Sequence, residues 1–454
     1  MKIIYEQNLG FFAKSLPCPL YIVGGYVRNY LIDNAPSSDV DLCAPMPAET
    51  LIEYLEKSGG KVVAHYKRTG TVVFRFDKIK YEYTSFRYEK YKTGGSHEPE
   101  SVQFTDDITL DALRRDFKCN AIYYDLKNDV IVDPLGGVLD VKNKVLDTVK
   151  EPEKVFCSDG LRLLRLARFA GELGFTPTER VIESAKKYAD NLKDISVERI
   201  WAELIKILTA DTKYLFSSKD GHYKALKVLD QTRCLDVILP QLTLGRGMAQ
   251  RSDYHNYDVL EHSLRCVLYS PKNIRIYALL HDVGKPKNMV ETGQYYAHDK
   301  SGARLVKEIL NHLKADKKTV DKAVRLTRLH MADMDGLTGE NKVKRLIIDN
   351  YDILDDLLAL KQADYSACKD DLGECLTVKR WKNILLKMQQ NGTPFTLKEL
   401  KIDPKSLMEM GYNGKQIGEK LNELLLLCQL EPTFNQAEFL LKKAQKDANN
   451  VKKG

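Results

Sequence analysis

The sequence lacks any apolar run that approaches the roughly 20 residues needed to cross a lipid bilayer. Hydrophobic residues make up 43% of the chain and charged residues 29%, which is typical of a globular protein and excludes a membrane-spanning one. The first residues, MKIIYEQNLGFFAKSL, also lack the long apolar segment and the small-residue cleavage site of a secretory signal. We therefore expect a cytoplasmic protein with no membrane partner.

Cysteine pairs of the C-x-x-C type are absent, although the chain contains nine cysteines. Zinc ribbons and dithiol redox sites depend on such pairs, and an odd number of scattered cysteines is not the pattern of a disulfide framework. We expect free thiols, most of them buried. The net charge of +7 is compatible with a polyanionic partner, but many enzymes are equally basic, so charge alone identifies no function class.

The chain is too long for one ordinary hydrophobic core, and a protein of this size is expected to form roughly three or four domains. Up to about residue 145, helical stretches alternate with strand-like runs, namely LYIVGG, VDLC, GTVVFRF, KYEYTSF, AIYYDL and VIVDP. From about residue 150, apolar residues recur at helical spacing, as in LRLLRLARFAGELGF, and strand signals nearly vanish. The pattern predicts an α/β or α+β domain followed by a mostly helical remainder.

The segment LYIVGGYVRNYL is typical of a buried strand, a turn of two glycines and a helix. Gly24 and Gly25 would let a phosphate approach the backbone at the N-terminus of that helix. Arg28 would lie one turn further on, able to face the anion. A strand, two glycines and a helix also form a common structural turn, so the assignment depends on the neighbouring residues.

Two carboxylates follow in SSDVDLC. Asp39 and Asp41 are separated by one residue, and in a strand such residues project from the same face. Carboxylates this close repel each other unless cations lie between them. Mg²⁺ binds carboxylate and phosphate oxygens together, and a metal pair would activate an attacking hydroxyl and stabilise departing pyrophosphate. The pair therefore indicates nucleotidyl transfer, and the alternative is a solvent-facing acidic strand end.

GGYVRNYL followed by SSDVDL closely resembles the signature of the polymerase-β-like nucleotidyltransferases, specifically the family of class II tRNA nucleotidyltransferases and bacterial poly(A) polymerases. RRDFKCNA (114–121) is similar to that family's RRDFT-x-NA box, and DPLGG (133–137) also matches in a role that we expect to be mainly structural. The resemblance implies that the box holds the ribose hydroxyls and the triphosphate. The residues concerned are Arg114, Arg115, Asp116 and Asn120. For one of the arginines, a helix-start salt bridge is the alternative.

Other parts of the head match the family less closely. Glu82 in YEYTSFR lies on one strand face with Thr84, as either a third acidic neighbour of the metals or an exposed strand residue. KYKTGGSHEPESVQF (90–104) resembles the flexible loop that the family places near the nucleotide, which versions adding only the two cytidines tend to lack. Asn29 and Lys118 stand where the family usually has Asp and Thr.

CSDGLRLLRLARF (157–169) resembles the E-D-x-x-R box on the first neck helix of the family, where Asp and Arg pair with the base edge. The resemblance implies that Asp159 and Arg162 contact the base, and we predict that Arg165 also binds the nucleotide. Residues three apart lie on one side of a helix, so the pair could accept from the exocyclic amine and donate to the ring nitrogen of cytosine or adenine. Uracil and guanine present the opposite pattern. The alternative is that Asp159 and Arg162 form only an ion pair on the protein surface.

Ser158 takes the place of the glutamate in that box. Its loss removes a carboxylate that would orient the arginine, which leaves the base preference open but not the reaction class. We expect Ser158 instead to cap the helix.

Six of the nine histidines fall between residues 255 and 330, which suggests a metal site. An H…HD…D pattern suits a first-row divalent metal and resembles the HD phosphohydrolase superfamily. Its members are His262, His281, Asp282 and Asp364. His298 and His330 resemble the additional histidines of two-metal members. The activities associated with such domains are hydrolysis of 2′,3′-cyclic phosphates and phosphomonoesters, and the alternative is an HD fold retained for tRNA docking.

The C-terminal segment LMEMGYNGKQIGEKLNELLL again resembles the family. Gly411 and Gly414 would open a helix whose N–H groups bind a backbone phosphate, with attraction added by Lys415 and Lys420. The last residues, KKAQKDANNVKKG, are expected to be solvated and frayed. The expected domains are a catalytic head (1–145), a base-recognising neck (146–215), a body with the HD site (216–370) and a tRNA-binding tail (371–454).

The expected fold is α+β: a polymerase-β-like head with a mixed sheet, followed by an all-α neck, HD-type body and tail. The leading interpretation is template-independent addition of C, C and A to the 3′ end of tRNA from CTP and ATP, with Mg²⁺ held by Asp39 and Asp41. A second divalent metal (Mn, Ni, Co or Fe) and a phosphohydrolase activity are considered for the HD domain. The alternatives are a poly(A) polymerase and an HD phosphohydrolase whose head only binds RNA. Oligomeric state is left open.

Overall fold

The computed structural model describes residues 3–34, 39–91, 95 and 99–447, and the backbone of residues 448–451. The chain forms two compact units. The first comprises residues 1–248, 258–268 and 307–320, and the second comprises residues 249–257, 269–306 and 321–454. Within the described ranges, no helix is both long and apolar enough to cross a membrane.

The N-terminal part of the first unit, up to residue 146, mixes strands with helices. In chain order these are α1 (Gln7–Ser15), β1 (Tyr21–Val23), α2 (Gly25–Asp33), β2 (Val40–Ala44), α3 (Ala48–Lys57), β3 (Lys61–Tyr66), β4 (Thr71–Phe76), β5 (Ile79–Ser85), β6 (Arg87–Lys90), β7 (Ser101–Phe104), α4 (Ile108–Leu113), β8 (Tyr123–Asp125), β9 (Val130–Val132), α5 (Gly137–Asn143) and β10 (Val145–Leu146). The main sheet has seven strands in the order β3-β4-β5-β2-β1-β8-β9, and β6 pairs separately with β7.

The middle of this sheet determines where the conspicuous sequence motifs meet. β1 is antiparallel to β2, with Val23 opposite Asp41, while β2 is parallel to β5. Leu42, Cys43 and Ala44 are all buried, as expected for a strand covered on both faces. The end of β1, the start of α2 and the start of β2 therefore lie at one edge of the sheet.

Helices make up almost all of the remaining described structure. In chain order these are α6 (Pro152–Ser158), α7 (Leu161–Leu173), α8 (Glu179–Lys187), α9 (Val197–Leu208), α10 (Gly221–Gln231), α11 (Cys234–Ile238), α12 (Pro240–Thr243), α13 (Val259–Leu268), α14 (Arg275–Leu280), α15 (Gly284–Thr292), α16 (His298–His312), α17 (Lys317–Leu329), α18 (Glu340–Asp349), α19 (Leu354–Lys369), α20 (Leu376–Gln390), α21 (Pro404–Glu409), α22 (Lys415–Leu430) and α23 (Ala437–Val451). The short strand β11 (Thr176–Pro177), parallel to β10, is an exception.

The expected fold class, an α+β head with a mixed sheet followed by helices, is confirmed. Each of the six strand-like runs contains a strand, but β3, β6, β7 and the two-residue strands β10 and β11 are not predicted by the sequence. β7 lies within the segment 90–104 that was interpreted as a loop, of which residues 92–94 and 96–98 fall outside the described residues. β6 and β7 are stabilised by pairing with each other, which single-strand alternation does not reveal.

The C-terminal residues depart from two expectations. α23 is helical to Val451 rather than frayed, because Leu440 and Ala444 pack into an apolar cluster with α22, and residues 452–454 lie outside the described residues. Lys420 does not extend towards a phosphate. Its side chain is buried, and its Nζ lies 2.8 Å from Glu423 Oε2 and 2.5 Å from Asp447 Oδ2. Lys415 is exposed, as expected for a residue that attracts phosphate.

Candidate active site

Three acidic side chains come together at the sheet edge where β1 ends. Asp41 is the second residue of β2, and Glu82 is its direct partner on the parallel strand β5. Asp39 immediately precedes β2 instead of lying within it. All three line one cleft together with Gly24 and Gly25. The sheet register therefore favours the reading of Glu82 as a third acidic neighbour over that of an isolated exposed strand residue.

The surroundings of Asp41 disfavour the ionised form of its carboxylate. Although the side chain keeps access to solvent, the surrounding protein raises the pKa of Asp41 by burial. The charges of Glu82 and Asp39 act in the same direction, against the opposing charge of Arg115. A divalent cation between these oxygens would relieve the repulsion, so the donor set fits a hard metal such as Mg²⁺.

Gly24 provides the close approach that a phosphate requires. Its φ of 78° and ψ of −131° form a conformation that residues with a side chain rarely adopt. A Cβ at this position would lie 3.9 Å from Asp41 Oδ2 and 4.0 Å from Arg115 Nη1. The space above the turn is thus bordered by a metal-binding candidate, an arginine and the N-terminus of α2.

Arg28 is placed on α2 as expected, but it is buried and already engaged. Its Nη2 donates to Asn29 Oδ1 at 2.8 Å and to the Tyr214 hydroxyl at 3.1 Å, and its Nη1 donates to Asn120 Oδ1. Asn29, the residue that departs from the family pattern, thus supplies a neutral acceptor where an aspartate would have supplied a charge. Arg28 contributes its positive charge from the floor of the cleft.

The two arginines of the RRDFKCNA box share a carboxylate. Asp111 on α4 lies 2.7 Å from Arg114 Nε and 3.0 Å from Arg115 Nη2. Burial would raise the pKa of Asp111, but the two arginines outweigh it and hold that pKa below its usual range. The salt bridge considered for one arginine is therefore present for both, while both still line the cleft. Asp111 was not singled out in the sequence, although its spacing from the arginines places it on their side of the helix.

The base-recognition box has a different local structure from the one expected. α6 ends at Ser158, Asp159 is extended with φ of −157°, and α7 begins at Leu161. The interpretation of Ser158 as the cap is wrong, because its Oγ donates to Val155 O while Asp159 Oδ1 accepts from Leu161 N at 2.9 Å. Burial raises the pKa of Asp159 to about 6.

Asp159 and Arg162 still face the same cleft despite the break between the helices. The Nε of Arg162 lies 3.7 Å from Asp159 Oδ2, and both side chains are buried. Arg165, one turn further along α7, donates to Asp116 Oδ2 from both Nε and Nη2. The cleft therefore presents an acceptor and a donor side by side, next to the arginines of the head.

The cleft has a volume of about 1220 Å³. That exceeds the roughly 300–1,000 Å³ of ordinary small-molecule pockets. Its lining combines acidic groups at the sheet edge with basic side chains from the head and from α7 and α9. The space and charge suit a nucleoside triphosphate with its metal, beside the end of a polyanionic chain.

The second unit contains a separate cluster of histidines and carboxylates. Nδ1 of His281, His298 and His330 lies 2.7, 2.8 and 2.6 Å from the backbone carbonyl oxygens of Ala278, Tyr295 and Thr327, respectively. Nδ1–H donation to these carbonyls leaves the Nε2 lone pairs for a metal, as in known metal sites. Burial lowers the pKa of His330, which keeps its ring neutral.

Asp282 occupies the centre of this cluster. Its Oδ2 lies 3.2 Å from His281 Nε2, and its Oδ1 lies 3.2 Å from His298 Nε2. Asp364 Oδ1 is 3.5 Å from His281 Nε2. The His298 and His330 Nε2 atoms are only 3.2 Å apart, so with both Nδ1 atoms protonated their lone pairs would face each other and could share a cation. The donor set therefore fits a first-row divalent metal.

His262, the remaining member of the predicted HD set, has a buried side chain on α13. That helix belongs to the first unit. His281, Asp282 and Asp364 are brought together within the second unit, along with His298 and His330.

Three family models match successive parts of the chain. Residues 20–147 match the poly A polymerase head domain, residues 174–244 match a probable RNA and SrmB-binding site of polymerase A, and residues 253–366 match the HD domain.

Curated relatives extend over most of the chain. An A-adding tRNA nucleotidyltransferase of Deinococcus radiodurans is 29% identical over 91% of this chain and 93% of its own length. A multifunctional CCA protein of Neisseria gonorrhoeae is 31% identical over 68% of this chain and 73% of its own length. The fold is also similar to the CCA-adding enzyme of Bacillus stearothermophilus in complex with CTP, with a TM-score of 0.64, 22% identity and 98% coverage of both chains.

The diglycine turn, the grouped carboxylates and the charged cleft define a polymerase-β-like nucleotidyltransferase. The chain belongs to the family of class II tRNA nucleotidyltransferases and bacterial poly(A) polymerases, and it carries an HD domain. Enzymes of this family use a divalent metal. The family predicted from the sequence is therefore confirmed.

Proposed function

We propose that the protein adds C, C and A to the 3′ end of tRNA from CTP and ATP, without a nucleic-acid template. One observation carries the proposal: the acidic group around Asp41 and the donor–acceptor pair Asp159–Arg162 line the same cleft. A bound nucleotide would place its α-phosphate at the first and its base at the second. Relatives named as CCA proteins and as an A-adding tRNA nucleotidyltransferase support tRNA as the substrate.

Asp39 and Asp41 would hold Mg²⁺, with Glu82 as their acidic neighbour. Bound there, the metal would favour the attacking form of the terminal hydroxyl of the RNA and stabilise departing pyrophosphate. Gly24 and Gly25 leave room for the triphosphate, and Arg114 and Arg115 supply charge-assisted hydrogen bonds to it. Asn120 and Asp116 would contact the ribose. The new phosphodiester bond to the α-phosphate replaces the bond to pyrophosphate, and the proton of the attacking hydroxyl is released to solvent.

The base would be read by the protein. Ionised Asp159 accepts from the exocyclic amine of cytosine or adenine, and Arg162 donates to the adjacent ring nitrogen. Uracil and guanine would turn a carbonyl towards the carboxylate and an N–H towards the guanidinium, leaving buried groups mismatched.

The decisive experiment supplies purified protein and Mg²⁺ with two RNAs, a tRNA lacking its CCA end and a tRNA ending in CC. Each receives CTP alone, ATP alone or both, and the products are sized. Two C and one A on the first RNA would establish the proposed function. Addition of A only to the tRNA ending in CC would indicate an A-adding enzyme, and long A tails on any RNA would indicate a poly(A) polymerase. No extension would favour the hydrolase whose head only binds RNA.

A second candidate function is metal-dependent hydrolysis of phosphate esters at the HD cluster. It is favoured by the opposed lone pairs of His298 and His330 beside Asp282. Mn, Ni, Co or Fe would suit these donors, with His281 and Asp364 as further ligands within the second unit. The test is hydrolysis of 2′,3′-cyclic AMP and p-nitrophenyl phosphate with each metal, with Asp282→Asn as the loss-of-function variant. Tight metal binding without turnover would indicate a retained docking fold.

The division into a head (1–145), neck (146–215), body (216–370) and tail (371–454) is also proposed. The family matches at 20–147 and 253–366 support the head and the body, whereas the match at 174–244 crosses the proposed boundary between neck and body. A cytoplasmic location is proposed because tRNA maturation with CTP and ATP occurs there. Limited proteolysis would test the boundaries, and cell fractionation would test the location.

A further inference from the structure

Arg162 has no carboxylate at position 158 to orient it. Its Nη1 lies 3.2 Å from Ser158 Oγ, and its Nη2 donates to the backbone carbonyl of Arg114 at 2.6 Å. Both acceptors are neutral, and the carboxylate that lies beside the guanidinium, that of Asp159 at 3.7 Å from Nε, is itself assigned to the base. Further groups in the cleft are therefore expected to contribute to the orientation of Arg162.

Tyr91 provides a second contact for the guanidinium. The Cζ of Arg162 lies 5.8 Å from the centroid of the Tyr91 ring, within the range of a cation–π contact. The hydroxyl of Tyr91 donates to Glu89 Oε2 at 2.5 Å, which anchors the ring at its far end. Both Tyr91 and Glu89 line the cleft.

Glu89 is itself rigidly held on β6. It accepts from Arg87 Nε at 2.7 Å and lies 4.0 Å from Arg114 Nη1. Burial would raise the pKa of Glu89, but Arg114 and Arg87 outweigh it and hold that pKa below its usual value. Glu89 is thus a fixed negative charge that bonds to the Tyr91 hydroxyl and lies beside the Arg114 side chain, and both Tyr91 and the Arg114 backbone contact Arg162.

We propose that Glu89 and Tyr91 are positioning residues that hold Arg162 towards the base and so determine base specificity, in place of the carboxylate missing at Ser158. This inference rests on the proposed function, because it assigns Arg162 to the base edge. It goes beyond that function because it assigns part of the base selectivity to the head. Glu89 lies on β6, and Tyr91, which directly follows β6, contacts Arg162 on α7.

The test compares kcat/KM for CTP and UTP on a tRNA lacking CCA, and for ATP and GTP on a tRNA ending in CC. Tyr91→Ala should lower each ratio of correct to incorrect nucleotide about 10-fold, since the guanidinium loses its stacking surface. Tyr91→Phe keeps the ring but loses the bond to Glu89, and Glu89→Gln loses the charge, so both should give smaller reductions. Tyr88→Ala is the matched control, because Tyr88 neighbours Glu89 on β6, bonds to Gln103 and does not line the cleft.

Rescue separates positioning from a merely structural role. Ser158 already contacts Arg162, so Ser158→Glu would bring a carboxylate to the guanidinium and should restore selectivity to Tyr91→Ala or Tyr91→Phe. Unchanged selectivity in folded Tyr91→Ala, or no rescue by Ser158→Glu, would overturn the inference. If Tyr91→Ala does not fold, Tyr91→Phe and its rescue carry the test.

Failure of the proposed function gives a different result. A wild-type protein that extends no RNA would refute the proposed function. Calorimetric titration of wild type and Tyr91→Phe with CTP and with UTP would still decide the inference, because it measures base discrimination in binding. Equal discrimination in the two proteins would overturn it, and reduced discrimination in the variant would support it.

Discussion

The carboxylate of Asp116 accepts two hydrogen bonds from the guanidinium of Arg165, at 2.8 Å from Nε and 2.5 Å from Nη2. Asp116 also accepts from Asn120 at 3.0 Å. Burial would raise the pKa of Asp116, but Arg165 outweighs it and holds that pKa below its usual range. This ion pair thus links the RRDFKCNA box of the head to α7. Arg162, the arginine proposed to read the base, lies one turn before Arg165 on the same helix.

Replacement of Arg165 should therefore reduce use of both nucleotides. Arg165→Lys keeps the charge but loses the planar fork, and we expect kcat/KM for CTP and ATP to fall about 10-fold. Arg165→Ala leaves Asp116 buried without this partner and should also lower the free energy of unfolding by about 2 kcal/mol, a reduced figure because the Arg165 side chain is 33% exposed. Lys193→Ala, which breaks an exposed ion pair, is the control and should change neither quantity.

The carboxylates at the sheet edge should show opposite effects on activity and stability. Asp41→Asn removes one charge from the group formed with Glu82 and Asp39, so nucleotide transfer should be lost. The metal-free variant should melt a few degrees above wild type because a carboxylate destabilised by burial, and further by Glu82 and Asp39, is replaced by a neutral amide. Extension assays and calorimetry would measure the two effects. A fall in melting temperature with transfer retained would contradict the assignment.

The raised pKa of Asp159 predicts a pH dependence. Because its pKa in the folded protein is about 6, higher than the roughly 3.9 of an unfolded chain, the folded state binds more protons between those values. This contribution to stability is complete below the unfolded value and is lost as pH rises through 6. Activity should change in the opposite direction, since only ionised Asp159 accepts from the base amine.

The experiment compares kcat/KM for CTP between pH 5 and 8. We expect it to decline below about pH 6 in the wild type. Asp159→Asn should show lower kcat/KM throughout and no inflection near 6. An identical inflection in that variant would assign the titration to another group.

Much of the site could be predicted because its residues lie close together in sequence. The D-x-D spacing identified Asp39 and Asp41, and the paired glycines identified the turn, since both depend on local geometry. Glu82 remained ambiguous because its partnership with Asp41 depends on the register between β2 and β5, which no local pattern encodes. The contact of Tyr91 with Arg162 is likewise tertiary, so it could not be read from either segment.

The error at Ser158 has a physical cause. The sequence pattern predicts a helix that begins directly after Ser158, and serine is a favoured residue at the N-cap of a helix. In the structure Asp159 is extended between α6 and α7, and its own carboxylate accepts from Leu161 N. Asp111 could have been found, because its spacing from Arg114 and Arg115 is that of helix neighbours.

Gly24→Ala tests whether the diglycine turn is needed for substrate binding or only for folding. With φ of 78° and ψ of −131°, alanine there should cost about 1–3 kcal/mol of stability. The new methyl would also lie within about 4 Å of both Asp41 Oδ2 and Arg115 Nη1, in the space assigned to the phosphate, so transfer should fall by more than the loss of folded protein explains. Gly59→Ala is the control, because Gly59 also has positive φ and nothing lies within 4 Å of its added Cβ. Equal activity of the two folded variants would contradict a role in binding phosphate.

Metal binding by the second unit should depend on His298 and His330. Their Nε2 atoms lie 3.2 Å apart beside Asp282 and can bind one cation together, so added Mn²⁺ or Co²⁺ should raise the melting temperature, more so the tighter it binds. His330→Ala and His298→Ala should abolish much of this rise and lower the metal content measured after dialysis. His312→Ala is the control, since His312 is exposed at the end of α16. Because we propose that the carboxylates of the cleft also bind metal, each titration is repeated in the Asp41→Asn background. A rise in melting temperature that persists there and disappears with His330→Ala would locate the metal at the histidine cluster, whereas a rise that disappears with Asp41→Asn would locate it at the cleft.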